Sequence, residues 1–204
     1  MNAGKLAVLT ASLLIDVNVS TVTSLETHKL SEGRMEQYKW QYRFLELANL
    51  ISTWSKDEST KVGCVITTSD RRIISTGYNG LPRHSEDNPE LYPKRHDREE
   101  DKYEWYCHAE ENAITNAAFM GASLEGSSAY VTMEPCPKCA RMLAQSGVKE
   151  VWFDETKTAL YHKSRGLINL RPSKEILASA GVASYGLQIY PHVALPNTEE
   201  PSRD

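Results

Sequence analysis

Apolar residues recur at helical spacing in the segment that follows Met35. Between residues 36 and 54, the residues at this spacing are Trp40, Phe44, Leu47, Ala48 and Ile51. Residues three and four apart share one face of an α-helix. The spacing therefore predicts an amphipathic helix over residues 36–54.

Two runs rich in β-branched residues follow this helix, over residues 62–67 and 72–76. The polar residues 68–71 separate them, so the pair predicts a β-hairpin. Asn79-Gly80 predicts a second turn directly after the hairpin.

Helices and strands alternate in the rest of the chain. Periodicity and glycine positions predict helices over 107–120, 136–145 and 174–180, and strands over 129–133, 150–153 and 183–190. This alternation after an opening hairpin is typical of an α/β domain. We therefore expect a mixed sheet with helices on both faces.

Three segments lack such patterns. Residues 1–34 contain an apolar run that is too short to span a bilayer. We expect them to form a dispensable extension, and we expect the folded domain to cover 35–190. Residues 83–106 are charged and contain two prolines, which predicts an insertion in that domain. Residues 191–204 carry three more prolines and several acids, which predicts a loose tail.

Composition limits the class of partner. The 204 residues are 40% hydrophobic and 25% charged, which is ordinary for a globular domain. Proteins that grip DNA or RNA usually carry a basic excess. The formal net charge of −4 therefore favours a small-molecule partner over a polymeric nucleic acid, and nothing in the pattern indicates a membrane partner. Four cysteines are too few for a disulfide scaffold, which fits a reducing cytoplasm.

Two short segments carry reactive side chains, and each stands at the start of a predicted helix. The first contains His108, and the second contains Cys136 and Cys139. Two thiols three residues apart lie on one side of a helix. Together with one imidazole they form a Cys₂His set for zinc, which leaves a fourth position open to water. The sequence therefore predicts one catalytic Zn²⁺ per chain, with the pKa of its bound water lowered toward neutrality.

Glu110 lies two residues after His108, so both side chains reach one pocket only at the first turn of the helix. There the carboxylate would carry a proton from water to a substrate ring and then to a leaving amine. His-x-Glu followed later by Pro-Cys-x-x-Cys is typical of zinc nucleobase deaminases. A redox pair or half of a structural zinc site is the alternative, but the chain holds no second Cys-x-x-Cys.

The chain resembles the deoxycytidylate (dCMP) deaminases of the cytidine deaminase superfamily. The matching stretches, in chain order, cover residues 55–57, 61–66, 77–82, 108–114, 134–140 and 147–151. Asn112 and the Gly-Tyr-Asn-Gly turn at 77–80 favour the dCMP branch.

The resemblance implies a three-layer α/β/α cytidine-deaminase-like fold with a five-stranded mixed sheet. It implies hydrolysis of dCMP to dUMP and ammonia, which supplies thymidylate synthesis. It also implies a homo-oligomer, with a hexamer favoured, that dCTP with Mg²⁺ activates and dTTP inhibits. The expected contacts to a substrate or effector nucleotide are Tyr78, Asn79, Gly80, Ala109 and Glu134. The weaker candidates for a phosphate contact are Lys56, Lys61, Arg83 and Tyr161.

Several related functions stay open. The substrate could be 5-methyl-dCMP or dCTP, or the base could belong to tRNA adenosine, guanine or cytidine. The acidic balance disfavours a tRNA partner, and Asn112 favours a nucleotide. A zinc-stabilised nucleotide-binding module is the alternative without catalysis. Glu110 disfavours it, because a purely structural zinc site has no use for a proton carrier.

Overall fold

The computed structural model of the chain describes residues 36–85, 105–165 and 172–189. The compact unit that contains the candidate site begins at Tyr38. The expected N-terminal extension, most of the predicted insertion and the predicted tail lie outside the described residues. Among the helices of the described ranges, none combines the length and apolar character that a membrane span needs.

Ten helices and strands make up the described part of the chain. In order they are α1 Lys39–Ser52, β1 Gly63–Thr67, β2 Ile73–Tyr78, α2 Ala109–Phe119, β3 Ser128–Val131, α3 Pro137–Gln145, β4 Glu150–Asp154, α4 Glu155–Arg165, α5 Ser173–Ser179 and β5 Ala183–Leu187. All of them except α4 were predicted, with ends that differ by a few residues.

The five strands form one mixed sheet in the order β2-β1-β3-β4-β5. β1 pairs antiparallel with both β2 and β3, while β3, β4 and β5 run parallel. The predicted hairpin is confirmed, with Cys64 opposite Gly77 in its register. The predicted five-stranded α/β sheet is confirmed as well.

Alternate side chains of the strands point to opposite faces of the sheet, and helices cover both. On one face the Phe44 ring of α1 lies 4.9 Å from the Tyr130 ring of β3. On the other face Cys64 and Ile66 belong to one buried cluster with Ala109 and residues of α3 and α5. Small alanines on α2 let that helix lie close to the strands, which positions its first turn at one edge of the sheet.

One prediction about the first helix is wrong. Trp40 was expected on its buried face, but 37% of this residue is exposed, whereas Leu45 is fully buried. The guanidinium groups of Arg43 and Arg71 lie 5.0 and 5.1 Å from the Trp40 ring. These cation–π contacts hold the ring at the surface, beside the hairpin turn that contains Arg71.

Two glycines allow the helices to approach the hairpin closely. A Cβ atom at Gly63 would collide with the Ala48 carbonyl of α1. A Cβ atom at Gly77 would collide with the Ala109 carbonyl and the Ala113 amide of α2. Gly77 therefore fixes the distance between β2 and the first turn of α2.

We predict that Gly77→Ala lowers the free energy of unfolding by about 1–3 kcal/mol or more, because an added methyl group must push α2 away from the sheet. Urea denaturation of the zinc-loaded protein measures this change. Gly80→Ala is the matched control, since the nearest atom to its added Cβ would be Tyr78 Cε2 at 3.9 Å. Equal stability of the two variants would show that β2 and α2 do not need this close approach.

Candidate metal centre and active site

The two reactive segments meet at the N-terminal ends of α2 and α3. His108 precedes α2 as its N-cap residue with ψ of 161°, and Cys136 precedes α3 with ψ of 165°. Pro137 occupies the first position of α3, where its missing N–H costs nothing. These local choices turn the chain from extended to helical at His108 and at Cys136.

The three predicted metal ligands lie together. The Nδ1 atom of His108 is 3.5 Å from the Cys136 Sγ and 3.4 Å from the Cys139 Sγ. Tetrahedral zinc, at its usual distances to nitrogen and sulfur, separates such ligands by about 3.6 Å. The donor set and its spacing therefore fit zinc. Within the described ranges, no other group of His, Cys, Asp and Glu comes close enough to hold a metal ion.

The two sulfurs titrate as a pair. The Cys139 thiol, followed by the His108 ring, lowers the pKa of Cys136 to about 3. The Cys136 sulfur and burial both raise the pKa of Cys139. The hydrogen bond to Cys136 also raises the pKa of His108. Zinc binding would remove the protons of both thiols, since the thiolate is the form that binds a metal.

Glu110 lies beside this group on the first turn of α2. Its side chain is buried, with 4% of the residue exposed, and it lines the same pocket as His108 and Cys136. Burial raises the pKa of Glu110, and the nearby His108 charge opposes that shift. A buried carboxyl group that opens onto a pocket is suited to hold and release a proton.

An ion pair connects the two helix ends outside the pocket. The Glu111 Oε2 atom accepts a hydrogen bond from the His108 backbone N–H at 3.4 Å. The same oxygen lies 3.3 Å from the Lys138 Nζ, and Lys138 stands between the two cysteines. Glu111 therefore contacts both helices that carry the metal donors.

A pocket of about 280 Å³ opens next to the metal donors. Its walls combine the starts of α2 and α3 with the segment before β1 and with α4. It is lined by Asp57, Ser59, Thr60, Val62, Asn79, Tyr106, Cys107, His108, Ala109, Glu110, Met133, Glu134, Cys136 and Tyr161. The predicted residues Asn79, Ala109, Glu134 and Tyr161 are thus among its walls.

Other predicted nucleotide contacts lie elsewhere. Tyr78 and Gly80 are not among the residues that line this pocket, and 39% of Tyr78 is exposed. Arg83 is directed at α2, where it donates to the Asn116 Oδ1 at 2.7 Å and packs over the Phe119 ring. Lys56 is exposed and lines neither the pocket nor the groove beside it.

This groove is a second concave space, which lies beside the pocket along α4. It has a volume of about 460 Å³, and Lys61 and Lys157 contribute to its walls. The residues shared by the groove and the pocket are Ser59, Thr60, Met133 and Tyr161. The groove and the pocket are therefore adjacent.

Lys157 and its helix were not predicted from the sequence. Helix α4 has no clear apolar face, and 63% of Leu160 is exposed. One sequence signal for this helix was present, namely an aspartate at its start. The Asp154 Oδ1 atom accepts the Lys157 backbone N–H at 3.0 Å, as an N-cap residue does. Asp57 was also missed as a site residue, although it lies in a stretch that carries the family resemblance.

Three zinc-type donors and a buried glutamate meet at two helix ends on an α/β sheet. This geometry is typical of zinc-dependent deaminases. A family model described as "Cytidine and deoxycytidylate deaminase zinc-binding region" matches residues 38–155. The chain belongs to this family of cytidine and deoxycytidylate deaminases.

Individual relatives agree with this assignment. A probable deoxycytidylate deaminase of Caenorhabditis elegans is 44% identical over 148 residues, which are 72% of this chain and 70% of that protein. The deoxycytidylate deaminase of Homo sapiens is 37% identical over 134 residues, which are 64% of this chain and 71% of that protein. The chain is thus similar to these deaminases over most of its length.

A solved structure shares the fold. The dCMP deaminase from the cyanophage S-TIM5, crystallised with dCMP and dUMP, superposes with a TM-score of 0.56 at 24% identity. The match covers 73% of this chain and 97% of that one. The cytidine-deaminase-like α/β fold that the resemblance implied is therefore confirmed.

We predict that Cys139→Ala abolishes zinc binding, because one imidazole and one thiolate leave two of the four tetrahedral positions without protein ligands. The zinc content, measured by elemental analysis after zinc loading and dialysis, should fall from about one zinc per chain to near zero. Cys107→Ser is the matched control, since Cys107 adjoins His108 but is not one of the three donors. Full zinc occupancy in Cys139→Ala would remove Cys139 from the ligand set.

Proposed function

We propose that the chain catalyses the hydrolytic deamination of dCMP to dUMP and ammonia. The observation that carries the proposal is the position of the buried Glu110 in one pocket with three zinc-type donors. The proposal extends to a role in supplying dUMP for dTMP synthesis. It also extends to a cytoplasmic location, because the ligand cysteines must stay reduced and the cytoplasm is a reducing compartment.

The metal would be held by His108, Cys136 and Cys139. Zinc in such a site supplies Lewis acidity and lowers the pKa of a water molecule at its open position. Glu110 accepts a proton from the attacking water at its carboxylate and delivers it to the ring nitrogen next to C4. A C4–O bond forms, and the bond from C4 to the exocyclic nitrogen then breaks. The Glu110 carboxylate takes the proton of the new C4 hydroxyl and passes it to that nitrogen, which leaves as ammonia while the C4 carbonyl forms.

Asn79 is suited to contact the sugar of the nucleotide. Its Nδ2 atom donates to the Asp57 Oδ2 at 3.0 Å and to the Thr60 carbonyl at 2.8 Å. Its Oδ1 atom accepts the Val62 backbone N–H at 2.8 Å. Both amide hydrogens are therefore used, and one lone pair of Oδ1 is left for a ligand. A hydroxyl group can donate to that lone pair, whereas a phosphate cannot.

Backbone groups near the metal donors would read the edge of the base. Ala109 and Glu134 both line the pocket. The Glu134 N–H already donates to the Thr158 hydroxyl at 2.9 Å. Glu134 therefore offers its carbonyl group and its side chain to a ligand, while that N–H holds α4 beside the pocket.

The groove beside the pocket is suited to the 5′-phosphate. Lys61 and Lys157 line it together with Ser59, Thr60 and Tyr161. The Lys157 Nζ atom donates to the Lys61 carbonyl at 3.1 Å, so its ammonium group is held near the groove. Burial lowers the pKa of Lys157, and a bound phosphate would counter this by stabilising the ammonium form. A nucleoside monophosphate therefore fits this site better than a free nucleoside does.

Regulation by dCTP with Mg²⁺ and by dTTP, in a hexamer, completes the proposal. It rests on the family resemblance of the turn at 77–80. The backbone groups of Gly80 and Cys107 exchange two hydrogen bonds, of 3.1 and 2.8 Å. The Asn112 Nδ2 atom donates to the Tyr78 carbonyl at 2.8 Å. An effector that moved the turn would therefore act on the residue next to His108 and on α2.

We predict that Glu110→Gln lowers kcat for dCMP by at least about 100-fold, since an amide cannot carry the proton. Zinc content and unfolding free energy should stay near those of the wild type. Glu175→Gln, on the exposed side of α5, is the matched control for the loss of one acid.

The same assay tests the substrate and the regulation. The zinc-loaded enzyme is given dCMP, 5-methyl-dCMP, dCTP, cytidine and adenosine, each with and without dCTP plus Mg²⁺ or dTTP. We expect dCMP to have the highest kcat/KM, with activation by dCTP and inhibition by dTTP. Near wild-type turnover of dCMP by Glu110→Gln would refute the proton path, and preference for another base would refute the substrate.

We predict that Lys157→Met raises KM for dCMP by about 10- to 100-fold, the range expected for a lost charge-assisted hydrogen bond. The kcat/KM for deoxycytidine, which has no phosphate, should change much less. Lys149→Met is the matched control, because Lys149 is exposed at the opposite end of the sheet, just before β4 begins. Equal losses for dCMP and deoxycytidine would exclude Lys157 from phosphate binding.

A further inference from the structure

Asp57 is a buried carboxylate in the segment between α1 and β1. It is 5% exposed and lines the pocket that contains Glu110. Its Oδ1 atom accepts three hydrogen bonds, from the Ser59 N–H at 2.8 Å, the Ser59 hydroxyl at 2.7 Å and the Thr60 N–H at 3.2 Å. Asp57 therefore closes the turn that carries Ser59 and Thr60 along the pocket wall.

The other carboxylate oxygen of Asp57 faces Asn79. The Asn79 Nδ2 atom donates to this Oδ2 at 3.0 Å, and its second hydrogen bonds to the Thr60 carbonyl. The Ser55 hydroxyl donates to the Asn79 carbonyl at 2.7 Å and accepts the Asp57 N–H at 3.1 Å. The turn and Asn79 thus form one buried hydrogen-bonded unit.

The partners on either side decide which way the Asn79 amide points. The Val62 N–H can only donate, so it faces Oδ1. The Asp57 carboxylate and the Thr60 carbonyl can only accept, so they face Nδ2. Rotating the amide by half a turn would leave all three of these bonds mismatched. The charge of Asp57 makes its bond the strongest of the three.

We propose that Asp57 is a positioning residue that fixes the Asn79 amide so that an acceptor atom faces the nucleotide. The proposal rests on the proposed function, because it makes the pocket selective for a ligand with a hydroxyl group at that point. The sugar of dCMP has one hydroxyl, at the 3′ position. Asp57 would thus act on substrate selection through Asn79.

The test compares dCMP with its 3′-deoxy analogue in the wild type and in Asp57→Asn. Asparagine keeps the shape of Asp57 and one acceptor oxygen for the turn, but it turns an NH₂ group toward the Asn79 Nδ2. In the wild type we expect the missing hydroxyl to lower kcat/KM by about 3- to 10-fold, the range for one hydrogen bond. In Asp57→Asn that ratio should fall toward one, with a raised KM for dCMP.

Glu58→Gln controls for the loss of one negative charge, because Glu58 adjoins Asp57 but is exposed and does not line the pocket. It should keep the wild-type ratio. An Asp57→Asn variant that loses activity yet keeps the full hydroxyl ratio has only a structural defect, and that result would overturn the proposal.

A stability cycle provides a readout that needs no activity. Urea unfolding of Asp57→Asn, Asn79→Ala and the double variant should show losses that are clearly non-additive, because both single variants break the same bond. Additive losses would overturn the proposal even if the protein deaminates another base. A wild type that does not act on dCMP, with strong coupling in the cycle, would refute the proposed substrate and leave the positioning by Asp57 in place.

Discussion

The active site depends on bringing the N-terminal ends of two helices to one point. Each end carries partial positive charge and unpaired N–H groups, so their approach needs negative charge nearby. Two thiolates and a neutral imidazole balance the charge of one zinc ion, so they leave little negative charge to offset the positive helix ends. Glu111 satisfies one of these N–H groups, that of His108, and its ion pair with Lys138 links the two helix ends.

The sheet brings the other parts of the site to the same edge. β3 runs toward this edge, and the chain then passes Met133 and Glu134 before α3 begins. β1 is antiparallel to β3, so its start and the segment before it lie there as well. β2 ends at this edge, which delivers Asn79 directly after the strand. One reversal in the hairpin therefore adds a recognition surface to an otherwise parallel arrangement.

Local signals made much of this predictable. The spacing of Cys136 and Cys139, the proline between them and the His-x-Glu pair all act within one helical turn, so the sequence alone predicted the three donors that the structure brings together. Helix α4 was not predicted because it has no clear apolar face. Its position depends on contacts such as that between Thr158 and the Glu134 N–H. Asp57 was not predicted as a site residue because its partner Asn79 is 22 residues away, and no local pattern encodes such a pairing.

Chemistry and selectivity are placed on different parts of the fold. Donors and proton carrier sit on two helix starts, and such a set can act on any amino group at a ring carbon that reaches it. Under the proposed function, the segment before β1, Asn79 and α4 would distinguish one nucleotide from another. These parts are joined by buried hydrogen bonds and by one half-buried ammonium group, Lys157. The proposed phosphate site would let an acidic chain bind an anionic nucleotide, because its positive charge is local to one groove.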